Sequence, residues 1–183
     1  MCIQSGLGFH FPEEETICRG AQARQRLLRC INPQESHSEI LPLERWGFVT
    51  LLTWNHACTI GVKAMDDQHA ILMDTLNDIR LALVHGQGRD QVSEGLNRLI
   101  EFTRMHFAAE EQLLEKHAFP GAAEHRDAHQ KLIGQLEEAA LRTQHHDDLH
   151  LQSILLFLRD WYTTHIEQLD RPYGDWLNAR GIG

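Results

Sequence analysis

The sequence predicts an all-α protein: an up-down-up-down four-helix bundle with an N-terminal arm and a short C-terminal helix. Four long segments repeat apolar residues at positions i, i+3, i+4 and i+7, which is the period of an amphipathic helix. Short polar breaks join these segments, as in bundles whose neighbouring helices run antiparallel. The length of 183 residues is enough to bury one core, and a β pattern appears only in the arm.

The first 48 residues show no sustained period. Pro12, Pro33 and Pro42 interrupt them, and NPQESHSE has the composition of a loop. We therefore predict that residues 1–48 form a poorly ordered N-terminal extension and that residues 49–183 form one domain. This domain begins with a β-rich arm, VTLLTWNHACTIGV.

Four amphipathic helices are predicted to follow the arm. The first carries Leu72, Leu76 and Ile79 on one face and ends at HGQGR. AFPG, with Pro120 and Gly121, ends the second helix, and the polar turn HHDDLH separates the third from the fourth. PYGDWLNAR predicts a short terminal helix that packs across the end of the bundle. The four predicted ranges are 67–84, 90–117, 122–143 and 149–169.

Charge and composition argue against several classes of partner and location. The formal net charge is −9, which would repel nucleic acid and an anionic membrane surface. No apolar run is long enough to span a bilayer, and the N-terminus lacks the basic and apolar regions of a secretory signal. The four cysteines form no CxxC pair, so we expect reduced thiols in a cytoplasmic protein.

Histidine and carboxylate side chains occupy the helix faces that should be buried. His106 and Glu110 are four residues apart, as are His125 and His129, so each pair projects from one face of a helix. Such polar groups are costly in a core unless they find partners. The candidate metal ligands on the core faces are His69, His106, Glu110, His125, His129, His165 and Asp170.

Each candidate also has an ordinary interpretation. A lone histidine on an apolar face is more often a satisfied core residue, and a single HxxxH pair often arises by chance. Asp66 and Asp67 resemble N-cap residues, and Glu111 is expected to be solvated because it points away from the core-facing stripe. Asp170 follows His165 by five residues, so the backbone must adjust locally to turn it inward. Convergence from all four helices nevertheless favours a metal as the common partner.

The number and type of candidates indicate which metal. Seven side chains exceed the ligands of a tetrahedral zinc site, whereas imidazole and carboxylate together suit two iron or manganese ions. If three histidines bind one ion and two bind the other, with Glu110, Asp170 and a solvent-derived ligand bridging, one coordination position stays open. The chain contains no ExxH motif, which is typical of di-iron oxidases and ferritins. A histidine-rich site with only two carboxylates holds less negative charge, so it is less suited to stabilising high-valent iron, and reversible binding of a small molecule is favoured over oxygenation.

The chain resembles the bacterial haemerythrin (bacteriohaemerythrin) family over about residues 50–178. The resemblance rests on TWNHACTIGVKAMDDQH, FTRMHFAAEEQLL, FPGAAEHRDAHQKL and FLRDWYTTHIEQLDRPYGDWL, which fill every ligand position at the family's spacing. It implies two non-haem irons, oxo- or hydroxo-bridged, that bind O2 reversibly in a four-helix bundle. It assigns His125, His129 and His165 to the coordinatively full iron, His69 and His106 to the iron that takes O2, and Glu110 and Asp170 to the bridges.

The resemblance also implies a dry apolar pocket around the open position. By matching, Phe107, Trp161 and Ile166 line this pocket, together with Leu72 or Met73. A dry pocket disfavours proton entry, so it preserves reversible binding against autoxidation. The same residues would also serve as ordinary bundle core.

The chain departs from the family at Tyr162, where the family often has leucine. If the ring of Tyr162 reaches the pocket, its hydroxyl would hydrogen-bond the bound ligand or admit protons. Either effect would weaken storage and favour sensing or turnover.

The leading functional hypothesis is reversible O2 binding for oxygen carriage, storage or delivery inside the cell, and not enzymatic turnover. The ligand is O2, with NO or small anions such as azide as alternatives, and the sequence indicates no particular protein partner. Two alternatives stay open. One is an O2, NO or redox sensing module, and the other is a protein that handles iron or removes peroxide or NO.

Overall fold

The computed structural model of the protein describes residues 52–54, 58–143 and 148–183, without the side chains of 148–152. The predicted N-terminal extension, residues 1–48, lies outside the described residues. The helices are Lys63–Val84 (α1), Arg89–Lys116 (α2), Ala122–Thr143 (α3), Asp148–His165 (α4) and Arg171–Asn178 (α5), with a π-helical turn, Ile166–Asp170, between α4 and α5.

The four long helices close into a ring around one core. Helix α1 packs on α2, α2 on α3, α3 on α4, and α4 on α1. Each helix buries the face on which apolar residues recur every three or four positions. Leu76, Leu99 and Leu158, for example, are fully buried. Gly86 and Gly88 take positive φ angles at the break between α1 and α2, as glycine readily does. This arrangement confirms the predicted all-α four-helix bundle.

The arm was predicted to be β-rich, but its described residues, 52–54 and 58–62, form no continuous strand. The backbone N–H and C=O of Leu52 bond instead to the side-chain amide of Asn77 on α1 (3.1 Å each). Farther along, Arg171 and Asn178 of α5 donate to the carbonyls of Thr59 and Ile60 (3.1 and 2.8 Å). The arm is therefore held by side chains of α1 and α5, which a strand propensity does not reveal.

Helix α1 begins at Lys63, so the expectation that Asp66 and Asp67 cap its N-terminus is wrong. The Asp66 carboxylate instead accepts bonds from the backbone N–H groups of Ile60 and Gly61 (2.8 and 3.1 Å). Asp67 pairs with Lys63 one turn earlier. Asp66 thus ties the arm to the first turns of α1, just before His69.

Two observations concern the cellular setting. Cys58 is buried and disulfide-bonded, whereas we expected reduced thiols, so that expectation is wrong at this residue. The other cysteines, Cys2, Cys18 and Cys30, lie outside the described residues. Within the described part of the chain, no helix is both long and apolar enough to cross a bilayer. The cytoplasmic location stays a prediction.

Candidate metal centre

The structure brings all seven candidate ligands together inside the bundle. Each of them is at most 5% exposed. Few histidines and almost no carboxylates are buried this deeply unless they have strong partners. They come from every long helix and from the π-helical turn: His69 from α1, His106 and Glu110 from α2, His125 and His129 from α3, His165 from the end of α4, and Asp170 from the π-helical turn.

Glu110 lies among the histidines of α2 and α3. Its Oε1 is 2.8 Å from Nε2 of His125, and its Oε2 is 3.5 Å from Nε2 of both His106 and His129. The four-residue spacing explains this, because residues four apart on a helix lie on one face. One carboxylate therefore reaches nitrogens from two helices.

Asp170 reaches the cluster because the chain forms a π-helical turn. In an α-helix, five residues rotate the chain by about 500°, which would place Asp170 about 140° away from the face of His165. The wider π-helical turn, Ile166–Asp170, brings the carboxylate back, with Asp170 Oδ1 3.1 Å from His165 Nε2. Asp170 also lies 3.2 Å from Nε2 of His69 and 3.6 Å from Nε2 of His125. The local backbone adjustment expected at Asp170 is thus present.

The ligand atoms divide into two groups, in each of which all atoms lie within 4.8 Å of one another. The larger group contains three histidines and both carboxylates: Glu110, His125, His129, His165 and Asp170. The smaller group contains His69, His106 and Asp170. The larger group contains the three histidines that the resemblance assigns to one iron, and the smaller group contains the two that it assigns to the other; that these groups bind iron stays a prediction.

The cluster has a donor set that could hold metal ions. Buried polar atoms without a hydrogen-bond partner are rare and costly, yet within the described residues they concentrate here. Imidazole nitrogens and carboxylate oxygens suit borderline metal ions such as iron. The unpartnered atoms are both ring nitrogens of His69 and His165, Nε2 of His106 and His129, Oε2 of Glu110, and both oxygens of Asp170.

Burial keeps two of the histidines neutral. Desolvation, followed by the charge of His69, lowers the pKa of His106 to about 3. Desolvation and the charge of His165 lower the pKa of His129 to about 2. A neutral imidazole retains the lone pair that binds a metal, so both rings are ready to act as ligands.

The two carboxylates have pKa values shifted in opposite directions. Burial raises the pKa of Glu110, and the charge of Asp170 raises it further. Burial would also raise the pKa of Asp170, but His165 and His69 outweigh it and hold this pKa well below its usual range. Asp170 is thus the carboxylate that stays ionised. Glu110, whose Oε1 lies 2.8 Å from Nε2 of His125, is the carboxylate with the raised pKa.

Comparison with known families decides what kind of domain this is. The family described as "Hemerythrin HHE cation binding domain" matches residues 60–177, a span that includes all seven clustered residues. This chain belongs to the haemerythrin family. A cation-binding domain agrees with the buried donor set, and the family expected from the sequence is confirmed.

Relatives extend the match over most of the chain. A bacteriohaemerythrin of Stenotrophomonas maltophilia is 31% identical over 131 residues, which is 72% of this chain and 84% of that protein. One of Methylococcus capsulatus is 30% identical over 132 residues, or 72% of this chain and all of that protein (100%). A solved structure of wild-type haemerythrin has a TM-score of 0.61 and 29% identity, covering 68% of this chain and 96% of that chain.

Two side chains outside the seven hold histidines of this haemerythrin domain in place. Gln68 Oε1 lies 2.8 Å from Nδ1 of His106, and Glu111 Oε1 lies 2.9 Å from Nδ1 of His129. The expectation that Glu111 is merely solvated is therefore wrong. Both residues adjoin candidate ligands in the sequence, but each binds a histidine of another helix, so helix periodicity could not find them.

The apolar side chains predicted to line a ligand pocket are buried, and two of them lie against histidines of the cluster; their role as a pocket stays a prediction. The ring of Phe107 stacks on His129 with centroids 3.6 Å apart and planes at 2°. Trp161 lies nearly parallel to His165, at 6.2 Å and 12°. Ile166, Leu72 and Met73 are buried as well. The haemerythrin cluster is thus enclosed by aromatic and aliphatic groups.

Tyr162 uses its hydroxyl within the protein. The buried O–H donates to the backbone carbonyl of His69, 2.8 Å away, and so links α4 to α1 at a candidate ligand. We expected the hydroxyl to affect a bound ligand if the ring of Tyr162 reached the pocket. In the structure the hydroxyl is engaged by the backbone, and its effect on a ligand stays a prediction.

Proposed function

We propose that this haemerythrin binds O2 reversibly at two iron ions and serves oxygen carriage, storage or delivery. The observation that carries the proposal is the division of the buried ligand atoms into a three-histidine and a two-histidine group that share Asp170. The residues that would hold the irons are His69, His106, Glu110, His125, His129, His165 and Asp170.

The unequal histidine count supports a single position for a small ligand. Glu110 faces nitrogens of both groups, since it lies 3.5 Å from His106 and from His129. With both carboxylates shared, the three-histidine group supplies one more protein ligand than the two-histidine group. A small molecule would therefore bind beside His69 and His106. A reduced iron pair held by these residues would supply the electrons for O2 binding and would recover them on release.

The surrounding side chains favour binding over turnover. Phe107, Trp161 and Ile166 are buried apolar side chains, and the Tyr162 hydroxyl donates its hydrogen bond to the carbonyl of His69. The buried hydroxyl of Tyr173, beside Glu110, is a proton donor close to the cluster. The apolar enclosure and the bond from Tyr162 to the backbone support a carrier over an enzyme. NO and small anions such as azide would compete for the same position.

Metal analysis and optical spectra test the proposal. Protein purified with iron should hold two iron ions per chain, as the ligand set requires. The reduced protein should gain a visible absorption band with O2 and lose it on deoxygenation, over repeated cycles. A single zinc per chain would overturn the proposal. Irreversible oxidation within the first cycle would favour the sensor or the detoxifying protein.

A further inference from the structure

Two of the clustered histidines bind a side chain through the nitrogen that faces away from the cluster. His106 uses Nδ1 toward Gln68 and His129 uses Nδ1 toward Glu111, at 2.8 and 2.9 Å. Since the amide and carboxylate oxygens are acceptors, Nδ1 of each ring carries the proton. Nε2 of each ring is then left with its lone pair inside the cluster, where it has no hydrogen-bond partner. Both contacts thus fix ring orientation and tautomer.

The two acceptors differ in charge, and they serve different groups. Glu111 is a carboxylate on a histidine of the three-histidine group, whereas Gln68 is a neutral amide on a histidine of the two-histidine group. A carboxylate that accepts the Nδ1 proton makes the imidazole a stronger electron donor than an amide does. A second carboxylate, Asp66, lies 4.0 Å from Nδ1 of His69 in the two-histidine group, but its oxygens accept from the backbone N–H groups of Ile60 and Gly61. The two groups therefore differ in the charge of the acceptor that is hydrogen-bonded to His129 and to His106.

Arg126 fixes the orientation of Glu111. Its Nε lies 3.2 Å from Glu111 Oε2, while the other oxygen, Oε1, faces His129. Glu111 is 24% exposed and Arg126 is 45% exposed, so solvent screens the arginine charge more than the carboxylate. Arg126 also approaches Glu115, at 4.0 Å, which is 77% exposed. Glu115 therefore offers a matched carboxylate that shares the arginine and lies at the surface.

We propose that Glu111 is a positioning residue that makes His129 a more basic ligand and so stabilises the oxidised state of the cation in the three-histidine group. Gln68 orients His106 without this charge, so it gives the cation of the two-histidine group no such stabilisation through His106. The proposal deepens the proposed function and rests on it, because it needs a redox-active metal at the cluster.

Reduction potentials of the iron-loaded full chain test this proposal. Glu111→Gln keeps an acceptor for His129 but removes the charge. It should weaken the preference for the oxidised cation about tenfold, the lower end of such outer-shell effects. That change corresponds to a rise of about 59 mV for a one-electron couple. Gln68→Glu should lower the reduction potential of the cation in the two-histidine group. Glu115→Gln should change neither of the two potentials.

Metal affinity gives a second measurement. Glu111→Ala removes both the acceptor and the charge, so the affinity for iron, measured by competition with a chelator, should fall about 10- to 100-fold relative to the unaltered protein. Glu111→Gln should lie between the two, because it retains the acceptor. Melting of the metal-free chains, followed by circular dichroism, identifies variants that fail to fold.

The outcomes separate this proposal from the proposed function. If the unaltered protein holds no iron, the proposed function fails first. If it holds two irons and Glu111→Gln has the same potentials as Glu115→Gln, the role of Glu111 is wrong. If Glu111→Gln fails to load iron, the potential of Gln68→Glu tests the proposal instead. A lowered potential supports control of the potential by the charge of the acceptor, and an unchanged potential overturns the proposal.

Discussion

At the residue scale, His125 has the widest set of contacts with the carboxylates of the cluster. Its Nε2 lies 2.8 Å from Glu110 and 3.6 Å from Asp170, and its ring meets His129 edge-to-face at 4.3 Å. A change here therefore disturbs both shared carboxylates at once. The other histidines each depend on fewer of these contacts.

We expect His125→Ala to abolish iron loading, because it removes one ligand and leaves two buried carboxylates without a nitrogen between them. Metal analysis after reconstitution measures the effect. His85→Ala is the control, since His85 is exposed at the end of α1 and outside both ligand groups. If His125→Ala still held two irons, the assignment of the three-histidine group would be wrong.

Tyr162→Phe tests whether the hydroxyl serves the fold or the ligand. The bond from Tyr162 to the His69 carbonyl is buried, so its loss should cost about 1 kcal/mol in the free energy of unfolding. The affinity for O2 should change little, because the hydroxyl points to the backbone. Urea unfolding and O2 titration measure the two effects. A large loss of O2 affinity with unchanged stability would show that the hydroxyl serves the ligand.

Residue spacing could predict the candidate ligands but not the side chains that orient them. The HxxxE and HxxxH pairs place His106, Glu110, His125 and His129 on inner faces regardless of helix packing. Glu111 touches His129 only because α2 and α3 pack with one particular rotation and separation. The sequence of one helix contains no information on that rotation, so such contacts appear only in the structure.

At the element scale, the π-helical turn brings Asp170 to the cluster, and α5 fixes the arm against the bundle. Periodicity predicted one continuous helix over 149–169, whereas the structure ends α4 at His165 and continues through Ile166–Asp170 in π form. The five-residue spacing from His165 to Asp170 was the only signal, since a buried aspartate must face its partners. The π-helical turn then leads into α5, which holds the arm.

Gly174 allows α5 to approach the arm. A methyl group at this position would lie 2.7 Å from the carbonyl oxygen of Ile60, and a backbone atom cannot move aside easily. Gly174→Ala should therefore destabilise the fold by about 1–3 kcal/mol, as overpacking does. Gly134→Ala in α3 is the control, because nothing lies within 4 Å and the helix should gain about 0.5–1 kcal/mol. Urea unfolding of both variants should give shifts of opposite sign.

At the scale of the whole molecule, the core and the ligand cluster impose opposite energetic demands. Leucine layers such as Leu76, Leu99 and Leu158 give the bundle its stability through apolar burial, and their period made the four-helix fold predictable. The cluster places seven polar residues in the same interior, where they lack hydrogen-bond partners at many atoms. The division at residue 48 remains a prediction, because it rests on composition alone.

Because the buried polar residues lack partners, we expect removal of the metal to lower the free energy of unfolding of the whole bundle. A cation that binds only the folded state should add about 2.7 kcal/mol when its concentration is 100 times its dissociation constant. Chelator-treated protein should accordingly unfold at lower urea than iron-loaded protein, and adding metal back should restore the midpoint. His125→Ala should show no such dependence, because its cluster cannot load. Equal midpoints with and without metal would mean that Glu110, Asp170 and the histidines satisfy one another without a cation, and the unpartnered atoms would then need another explanation.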